Sequence, residues 1–327
     1  MQPVVEQIKI SLSQRWWILL AAWLIVPLFI RNWSYGLHVL IMMAVYVLLT
    51  QSLNLVMGLA GLLQLGHAAF FGIGAYFAGL LMSKLGWPFW TTLPLAFCGA
   101  ALIGILVGLP SMRVGGDYLG IVTLGFGEIT RLILTNWVSL TNGPMGVPGI
   151  PGPTLFGYSF TSKLPYFYLA TAFALFTWFV MNRLINSKFG LQLLALRTDE
   201  HCARVLGVNT GLVKVTAFSI SAAFAGLGGA FYSSYFSFIS PDSFLFIDSL
   251  AVLCMLVVGG MGNLTGCAIG ALILGVAPEV FRFMGDYRIL LYGLLLTIMV
   301  IYRPSGIWGL DRRKRNAIRA TCSRVRI

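Results

Sequence analysis

Residues able to do covalent chemistry are few and scattered in this sequence. Among its 327 residues, 22 are Lys or Arg and 10 are Asp or Glu, and the three histidines are His38, His67 and His201. The five cysteines are scattered and form no CxxC pair. An enzyme needs a nucleophile beside a base, or clustered metal ligands. The sequence therefore predicts no catalysis, no metal site and no cofactor on this chain.

One pair of opposite charges stands out in an apolar segment. Glu128 and Arg131, in TLGFGEITRLIL, are three residues apart and so share one face of a helix. Neither side chain should face lipid. The pair either neutralises itself inside a bundle or serves in gating or coupling. A proton relay would need more carboxylates than this.

A glycine-rich segment at 58–79, GLAGLLQLGHAAFFGIGAYFAG, carries Gln64 and His67 at predicted membrane depth. Glycine allows helices to approach closely or to break. The segment is therefore either tight packing around a satisfied histidine or a broken helix that lines a substrate path. A second glycine cluster, GGMGNLTGCAIGALILG, follows at 259–275.

The elements that must position these residues are membrane spans. Hydrophobic residues make up 58% of the chain and charged residues 10%, whereas soluble domains have about 25% charged residues. We predict an all-α polytopic transmembrane bundle of about ten spans, within a range of eight to ten, with Gly-rich broken or re-entrant segments. The predicted spans are 16–30, 37–57, 67–83, 89–110, 117–137, 165–183, 213–236, 247–261, 264–281 and 287–303.

Basic residues set the predicted orientation. With the amino terminus inside, sixteen of the 22 Lys and Arg lie on the cytoplasmic side, as the positive-inside rule requires. We expect a cytoplasmic segment at 1–15, one transmembrane domain at 16–309 and a basic cytoplasmic tail at 310–327. The first apolar run lacks a cleavage pattern and is predicted to be a retained span. Anionic lipid, not nucleic acid, explains the basic tail.

Two segments on the predicted outer side could dock a soluble partner. TNGPMGVPGIPGP, at 141–153, is rich in proline and glycine, which excludes a regular helix and favours a stiff loop. SPDSFLFID, at 240–248, is predicted to display two aspartates on the same side. The candidate docking residues are Asn142, Pro144, Asp242 and Asp248. Both segments could instead be simple connectors.

The longest predicted cytoplasmic loop spans about 184–213. Its centre, ALRTDEHCARVLGVN, has the pattern of a short amphipathic helix that Thr198 or Asp199 caps and Gly207 ends. Such a helix is either a surface element or a segment for a partner's groove. We favour the partner.

Several segments together resemble the permease subunits of ABC importers for branched-chain amino acids, the LivM family, over about 40–309. They are LNLVMGLAGLLQLGHAAFFGIGAY (53–76), GDYLGIVTLGFGEITRLIL (116–134), TNGPMGVPGIP (141–151) and ISPDSFLFIDSLAVLCMLVVGGMGNLTGCAIGA (239–271). The resemblance implies a multi-pass protein of the bacterial inner membrane with both termini cytoplasmic. It also implies a second homologous permease, two cytoplasmic ATPases and an extracytoplasmic binding protein that delivers leucine, isoleucine or valine.

The resemblance places a coupling helix, like the EAA loop of importers, in the 184–213 loop. Only Ala203 and Gly207 keep that pattern, because His201 and Cys202 replace its first two residues. The predicted coupling residues are Arg197, Asp199, Glu200, His201, Ala203, Arg204 and Gly207. No GxxxxGK[ST] motif occurs, so ATP and magnesium are expected on partner subunits.

The predicted mechanism is alternating access, in which movement of the 197–207 helix reaches a gate between two permeases. The candidate path residues are Gln64, His67, Tyr76, Glu128 and Arg131. Within the importer interpretation, urea or short amides are the alternative substrates. A secondary transporter driven by an ion gradient is a further alternative, although it would usually carry more ionisable residues in its spans.

Overall fold

The structure, a computed structural model, describes residues 23–27, 33–114, 116–155, 158–160 and 162–280, with positions 293, 294 and 297. Within these residues, seven helices are long and apolar enough to cross a membrane, and the apolar helix Leu264–Val276 is shorter. This agrees with the predicted all-α bundle. The predicted spans at 16–30 and 287–303 lie largely outside the described residues, and the segments 1–15 and 310–327 lie wholly outside them.

The helices are α1 (Ser34–Leu53), α2 (His67–Leu85), α3 (Phe89–Ser111), α4 (Asp117–Asn136), α5 (Val138–Thr141), α6 (Lys163–Ile185), α7 (Lys188–Thr198), α8 (Glu200–Val205), α9 (Thr210–Phe236), α10 (Phe246–Gly259) and α11 (Leu264–Val280). A π-helix, Asn54–Leu59, continues α1, and 3-10 turns lie at Gly143–Met145 and Pro241–Ser243. Strand β1 (Val147–Pro148) pairs antiparallel with β4 (Phe238–Ile239), and β2 (Thr154–Leu155) pairs with β3 (Tyr158–Ser159).

The central helix is α9, which packs along both α2 and α3. A Cβ atom on Gly226 of α9 would collide with Ala100 of α3, and one on Gly74 of α2 would collide with the backbone of Gly226. Helices in a membrane associate through close packing rather than through the hydrophobic effect, and small residues at the crossings permit it. The glycines of α2 and α9 therefore set the spacing of the core.

The connections between helices gather at two ends of the bundle. At one end, the Lys84 ammonium donates to the Ser139 carbonyl at 3.0 Å, and the β1–β4 pair joins the 141–155 loop to the α9–α10 connection. At the other end, the Lys214 ammonium donates to the Ser111 carbonyl at 3.2 Å. We call the first the β-end and the second, which carries α8, the α8-end. The connections between successive spans therefore alternate between the two ends, as the predicted spans require.

Candidate functional site

A break between α1 and α2 brings the start of α2 into the middle of the bundle. After the π-helix, residues 61–66 have no regular structure and run beside α4. The Leu65 amide donates to the Thr123 hydroxyl at 3.0 Å, and a Cβ atom on Gly66 would collide with the Thr123 carbonyl. Thr123 lies about 9 Å along α4 from its first residue, at 1.5 Å per residue. The predicted broken segment is thus confirmed, and glycine is needed where it meets α4.

A second break brings the start of α10 to the same depth from the β-end. Ile239 lies against Gly79 of α2, and Phe244 lies against Gly72, further along α2 towards its start. The Ser249 hydroxyl, in the first turn of α10, then accepts from the Ala68 amide at 2.8 Å. The 14 residues of α10 span about 21 Å, so the preceding segment from Pro241 is needed to complete a crossing of the roughly 30 Å bilayer core. The first turns of α2 and α10 therefore meet inside the bundle.

His67 and its neighbours form a buried hydrogen-bond network at this junction. His67 Nε2 lies 3.0 Å from Ser52 Oγ, and His67 Nδ1 lies 3.3 Å from Gln64 Nε2. Because the Ser52 hydroxyl donates to the Leu49 carbonyl, it accepts from Nε2–H, while Nδ1 accepts from Gln64. One neutral tautomer satisfies both contacts. His67 is both a satisfied core histidine and a residue of the broken segment.

A small cavity of about 10 Å³, with room for about one water molecule, opens where the two helix starts meet α4. Its walls are mostly apolar, with side chains such as Leu65, Leu124 and Phe246, and the polar side chains that line it are those of Glu128 and Ser249. Of the predicted path residues, Glu128 therefore lines the cavity. Gln64, His67 and Tyr76 do not line it but are buried in the surrounding core.

Tyr76 and Arg131 complete the predicted path group. The Tyr76 ring is edge-on to Phe244, and its hydroxyl has no hydrogen-bond partner among the described residues. Arg131 Nε lies 3.1 Å from Glu128 Oε2, and the side chains of Arg131 and Glu128 are 31% and 41% exposed. The predicted ion pair thus forms, but it lies at the outer face of α4 and not inside the bundle.

At the α8-end, α8 is capped as the sequence predicts. The Asp199 carboxylate accepts from the His201 amide at 2.8 Å and the Cys202 amide at 3.1 Å. The hydrogen bond from Cys202 is the largest cause that lowers the pKa of Asp199. Gly207 has a φ of +82°, the left-handed conformation that ends a helix most readily with glycine. Ala203, which lies between Asp199 and Gly207 in the sequence, is buried.

Glu200 holds α8 against the bundle. Its carboxylate accepts from Lys214 Nζ at 2.8 Å and from Arg204 Nη2 at 2.6 Å. Burial acts to raise the pKa of Glu200, but the hydrogen bonds from Lys214 and Arg204 outweigh it, and the net pKa is lowered. Lys214 is 2% exposed. Glu200, which the sequence grouped with partner contacts, therefore faces its own bundle.

The outward face of α8 is made by other residues. Val205 is 79% exposed and Leu206 is 57% exposed, and the side chains of His201 and Arg204 also reach the surface. Apolar side chains this exposed beside a membrane domain mark an interaction surface more often than a solvated one.

Arg197, an exposed residue at the end of α7, contacts the segment between α1 and α2. Its guanidinium donates to the Gly58 carbonyl of the π-helix, and its side chain packs against Gly61, where a Cβ atom would lie 2.8 Å from Arg197 Cγ. One π-helical turn away, Asn54 Oδ1 accepts from the Gly262 amide at 2.7 Å. The two glycine clusters that the sequence showed are therefore joined at the α8-end, and Arg197 touches the first.

At the β-end, three of the four candidate docking residues share one surface. Asn142 and Pro144 are exposed beside the 3-10 turn Gly143–Met145, and Asp242 is exposed in the turn Pro241–Ser243. Asp248 does not share this surface, contrary to the prediction. Its carboxylate accepts from the Leu245 amide at 2.9 Å inside the bundle. It caps α10, because the chain re-enters the membrane before that helix begins.

Sequence reasoning missed Ser249, Asn54 and Lys214. Each is a polar residue in a largely apolar stretch, and buried polar groups of this kind need partners. The polar character of each residue indicates that it has a hydrogen-bond partner in the folded protein. It does not identify that partner, because each has a partner 103 to 208 residues away along the chain, although Lys214 also bonds the nearer Glu200.

Residues 35–302 match the family described as "Branched-chain amino acid transport system / permease component". The chain belongs to this permease family. The permease is similar to the "High-affinity branched-chain amino acid transport system permease protein LivM" of Escherichia coli (strain K12), with 39% identity over 90% of this chain and 74% of the relative. LivM of Salmonella typhimurium is 41% identical over 83% of this chain and 69% of the relative.

A second kind of relative is also similar to the permease. LivH of Escherichia coli (strain K12), also named as a branched-chain amino acid permease, is 26% identical over 81% of this chain and 91% of the relative. No solved structure matches the chain. The permease is thus a multi-pass membrane protein of a transport family, and its family resemblance is confirmed.

Proposed function

We propose that the permease forms half of the translocation path of an ABC importer for leucine, isoleucine and valine. It would work with a second homologous permease, two cytoplasmic ABC ATPases that bind ATP and magnesium, and an extracytoplasmic binding protein. The names of its LivM and LivH relatives support the substrate class. The scarcity of ionisable residues in its spans supports a subunit that itself performs no chemistry.

The observation that carries this proposal is the cavity at the junction of α2, α10 and α4. Once the path widens for a substrate, its apolar walls would contact an aliphatic side chain and the Glu128 carboxylate would accept from an ammonium group. The first turns of two helices approach it, and helix starts carry partial positive charge that favours a carboxylate. Broken helices at mid-membrane are a usual way to build such sites in transporters. Gln64 and His67 would hold the broken segment in place.

The α8-end would be the cytoplasmic side, as the distribution of basic residues predicts. There, α8 would enter a groove on an ATPase through Val205 and Leu206, while Glu200 and Lys214 fix it to the bundle. Arg197 would transmit the movement of α8 to the break before α2. The surface with Asn142, Pro144 and Asp242 would then face outside, where the binding protein docks.

The test is uptake of labelled leucine and labelled urea by cells that lack their own importers. They would express the permease with its genomic neighbours that encode the second permease, the ATPases and the binding protein. We expect leucine uptake that requires all components. Urea uptake in its place would support the alternative substrate, and uptake by purified permease alone under an ion gradient would overturn the ABC proposal.

A further inference from the structure

The outer face of α4 differs from the lipid-facing surfaces of the other spans. Only 22% of the residues in its apolar stretch are buried, against 39% to 72% in the other six candidate spans among the described residues. Its inner face packs on the broken segment through Gly120, Thr123 and Gly127. The opposite face is a stripe at helical spacing, which consists of Tyr118, Ile121, Gly125, Glu128, Ile129 and Leu132.

This stripe carries charge at a depth where lipid cannot accept it. Glu128 lies about 16 Å along α4 from Asp117, at 1.5 Å per residue, and so near the middle of a core about 30 Å thick. Its side chain is 41% exposed, and that of Arg131 is 31% exposed. Charged side chains at mid-membrane almost always face protein or a water-filled path. Something other than lipid therefore covers α4.

The exposed faces of α3 and α6 show the contrast. Leu102 and Leu106 of α3 are each 64% exposed, and Phe176 and Phe179 of α6 are 52% and 54% exposed. These surfaces bear no charge at that depth and suit lipid tails. The need for a protein cover thus distinguishes α4 from α3 and α6.

The cavity at the central junction lies behind this same face. Leu124, Gly127 and Glu128 of α4 form one of its walls. Gly125 has open space where a Cβ atom would lie, so a neighbouring helix could approach the α4 backbone closely. Whatever covers α4 therefore also closes the cavity from the side.

We propose that the outer stripe of α4 is the contact surface for the second, paralogous permease subunit. The inference rests on the proposed function. The paralogue is favoured over a second copy of this chain because Escherichia coli K12 carries both LivM, at 39% identity, and LivH, at 26% identity. A partner of the same fold would bring a comparable apolar span to cover the stripe and enclose the ion pair.

Site-specific photo-crosslinking in the co-expressed importer tests this surface. A photoreactive phenylalanine analogue replaces Ile121 or Ile129 on α4, and matched controls replace Leu106 on α3 or Phe179 on α6. All four side chains are at least 54% exposed. Because the probe reacts with atoms in van der Waals contact, within about 4 Å, we expect about tenfold more adduct with the paralogue from α4 than from the controls.

Each outcome bears on the inference separately from the proposed function. If leucine uptake and co-purification persist while α4 gives no more adduct than α3 and α6, the proposed function stands and the α4 surface is overturned. An adduct with a second copy of this chain overturns the choice of partner. If the paralogue does not co-purify at all, both proposals fail.

A charge exchange provides a second readout. Arg131→Glu places two carboxylates on the stripe and is expected to reduce the amount of co-purified paralogue several-fold. Adding Glu128→Arg to that variant restores a neutral pair and is expected to restore co-purification. Equal co-purification of the single variant and the wild type would contradict a subunit contact at this face.

Discussion

The central junction and the α8 element are held together by different forces. At the junction, neutral hydrogen bonds and glycine contacts join α1, α2, α4 and α10, as with Ala68 and Ser249, which are 181 residues apart. At the α8-end, ion pairs between groups that are close in sequence hold α8 in place, as in the cluster of Glu200, Arg204 and Lys214. The ion pairs fix α8 firmly, as an element that transmits force requires, whereas at the junction Glu128 is the charged side chain that lines the cavity.

The two regions meet at one place, the π-helix Asn54–Leu59. Arg197 contacts the π-helix from the end of α7, which leads directly into α8. From the π-helix the chain continues through residues 61–66 to the junction at His67. A π-helix is uncommon and often lies at functional sites. We infer that this segment is where movement of α8 would reach the path, and the following predictions probe each side of the link.

The largest effect is expected from filling a glycine contact in the core. In Gly74→Val, the new side chain would collide with the backbone of Gly226, which cannot move aside without separating α2 from α9. Overpacking typically costs about 1–3 kcal/mol and sometimes more, so we expect most of the folded protein to be lost. The measurement is the yield of monodisperse protein in detergent. Gly125→Ala is the control, since nothing lies within 4 Å of its Cβ position, and similar losses from both variants would contradict the prediction.

A smaller loss is expected when the buried ammonium at the α8-end is removed. Lys214→Met deletes the contacts with Glu200 and with the Ser111 carbonyl. Breaking one side of a fully buried ion pair costs about 3–5 kcal/mol, but Glu200 is 28% exposed, so water offsets part of the loss. We expect about 2 kcal/mol, a value between those for buried and exposed pairs, measured by denaturant titration of helix content.

Arg204→Ala is the matched control for that prediction. Its side chain is 53% exposed, and exposed ion pairs are worth about 0–1 kcal/mol. If both variants lose the same stability, the buried lysine does not anchor α8 more strongly than the surface arginine does.

The sequence predicted the α8 element better than the junction, for a physical reason. The cap at Asp199 and the helix end at Gly207 depend on residues a few positions away, so local pattern reveals them. The spans follow from hydropathy in the same way, and the break before His67 follows from its glycines. The placement of Asp248 and the roles of Ser249 and Asn54 depend on partners brought close only by the fold, and re-entry before α10 has no local signature.

The link between the two regions is tested at Arg197. Arg197→Ala removes the contact with the Gly58 carbonyl and the packing on Gly61. Coupling between sites is typically worth about 1–3 kcal/mol, and on that scale we expect about tenfold slower leucine uptake. Co-purification of the ATPases should persist, because the guanidinium binds the Gly58 carbonyl of its own chain. Loss of the ATPases in proportion to uptake would instead place Arg197 at the ATPase contact.

The smallest effect concerns the pH dependence of the α8 anchor. Because the pKa of Glu200 is lowered from its ordinary value of 4.5, its ion pairs stabilise the fold at pH above that value. This contribution is lost as the pH falls through the lower pKa of the folded state. The difference in thermal midpoint between wild type and Glu200→Gln should therefore be constant near neutral pH and shrink below about pH 4.5. A difference that stays constant through that range would mean that the carboxylate charge does not hold α8, and that neutral packing such as that of the buried Ala203 holds it instead.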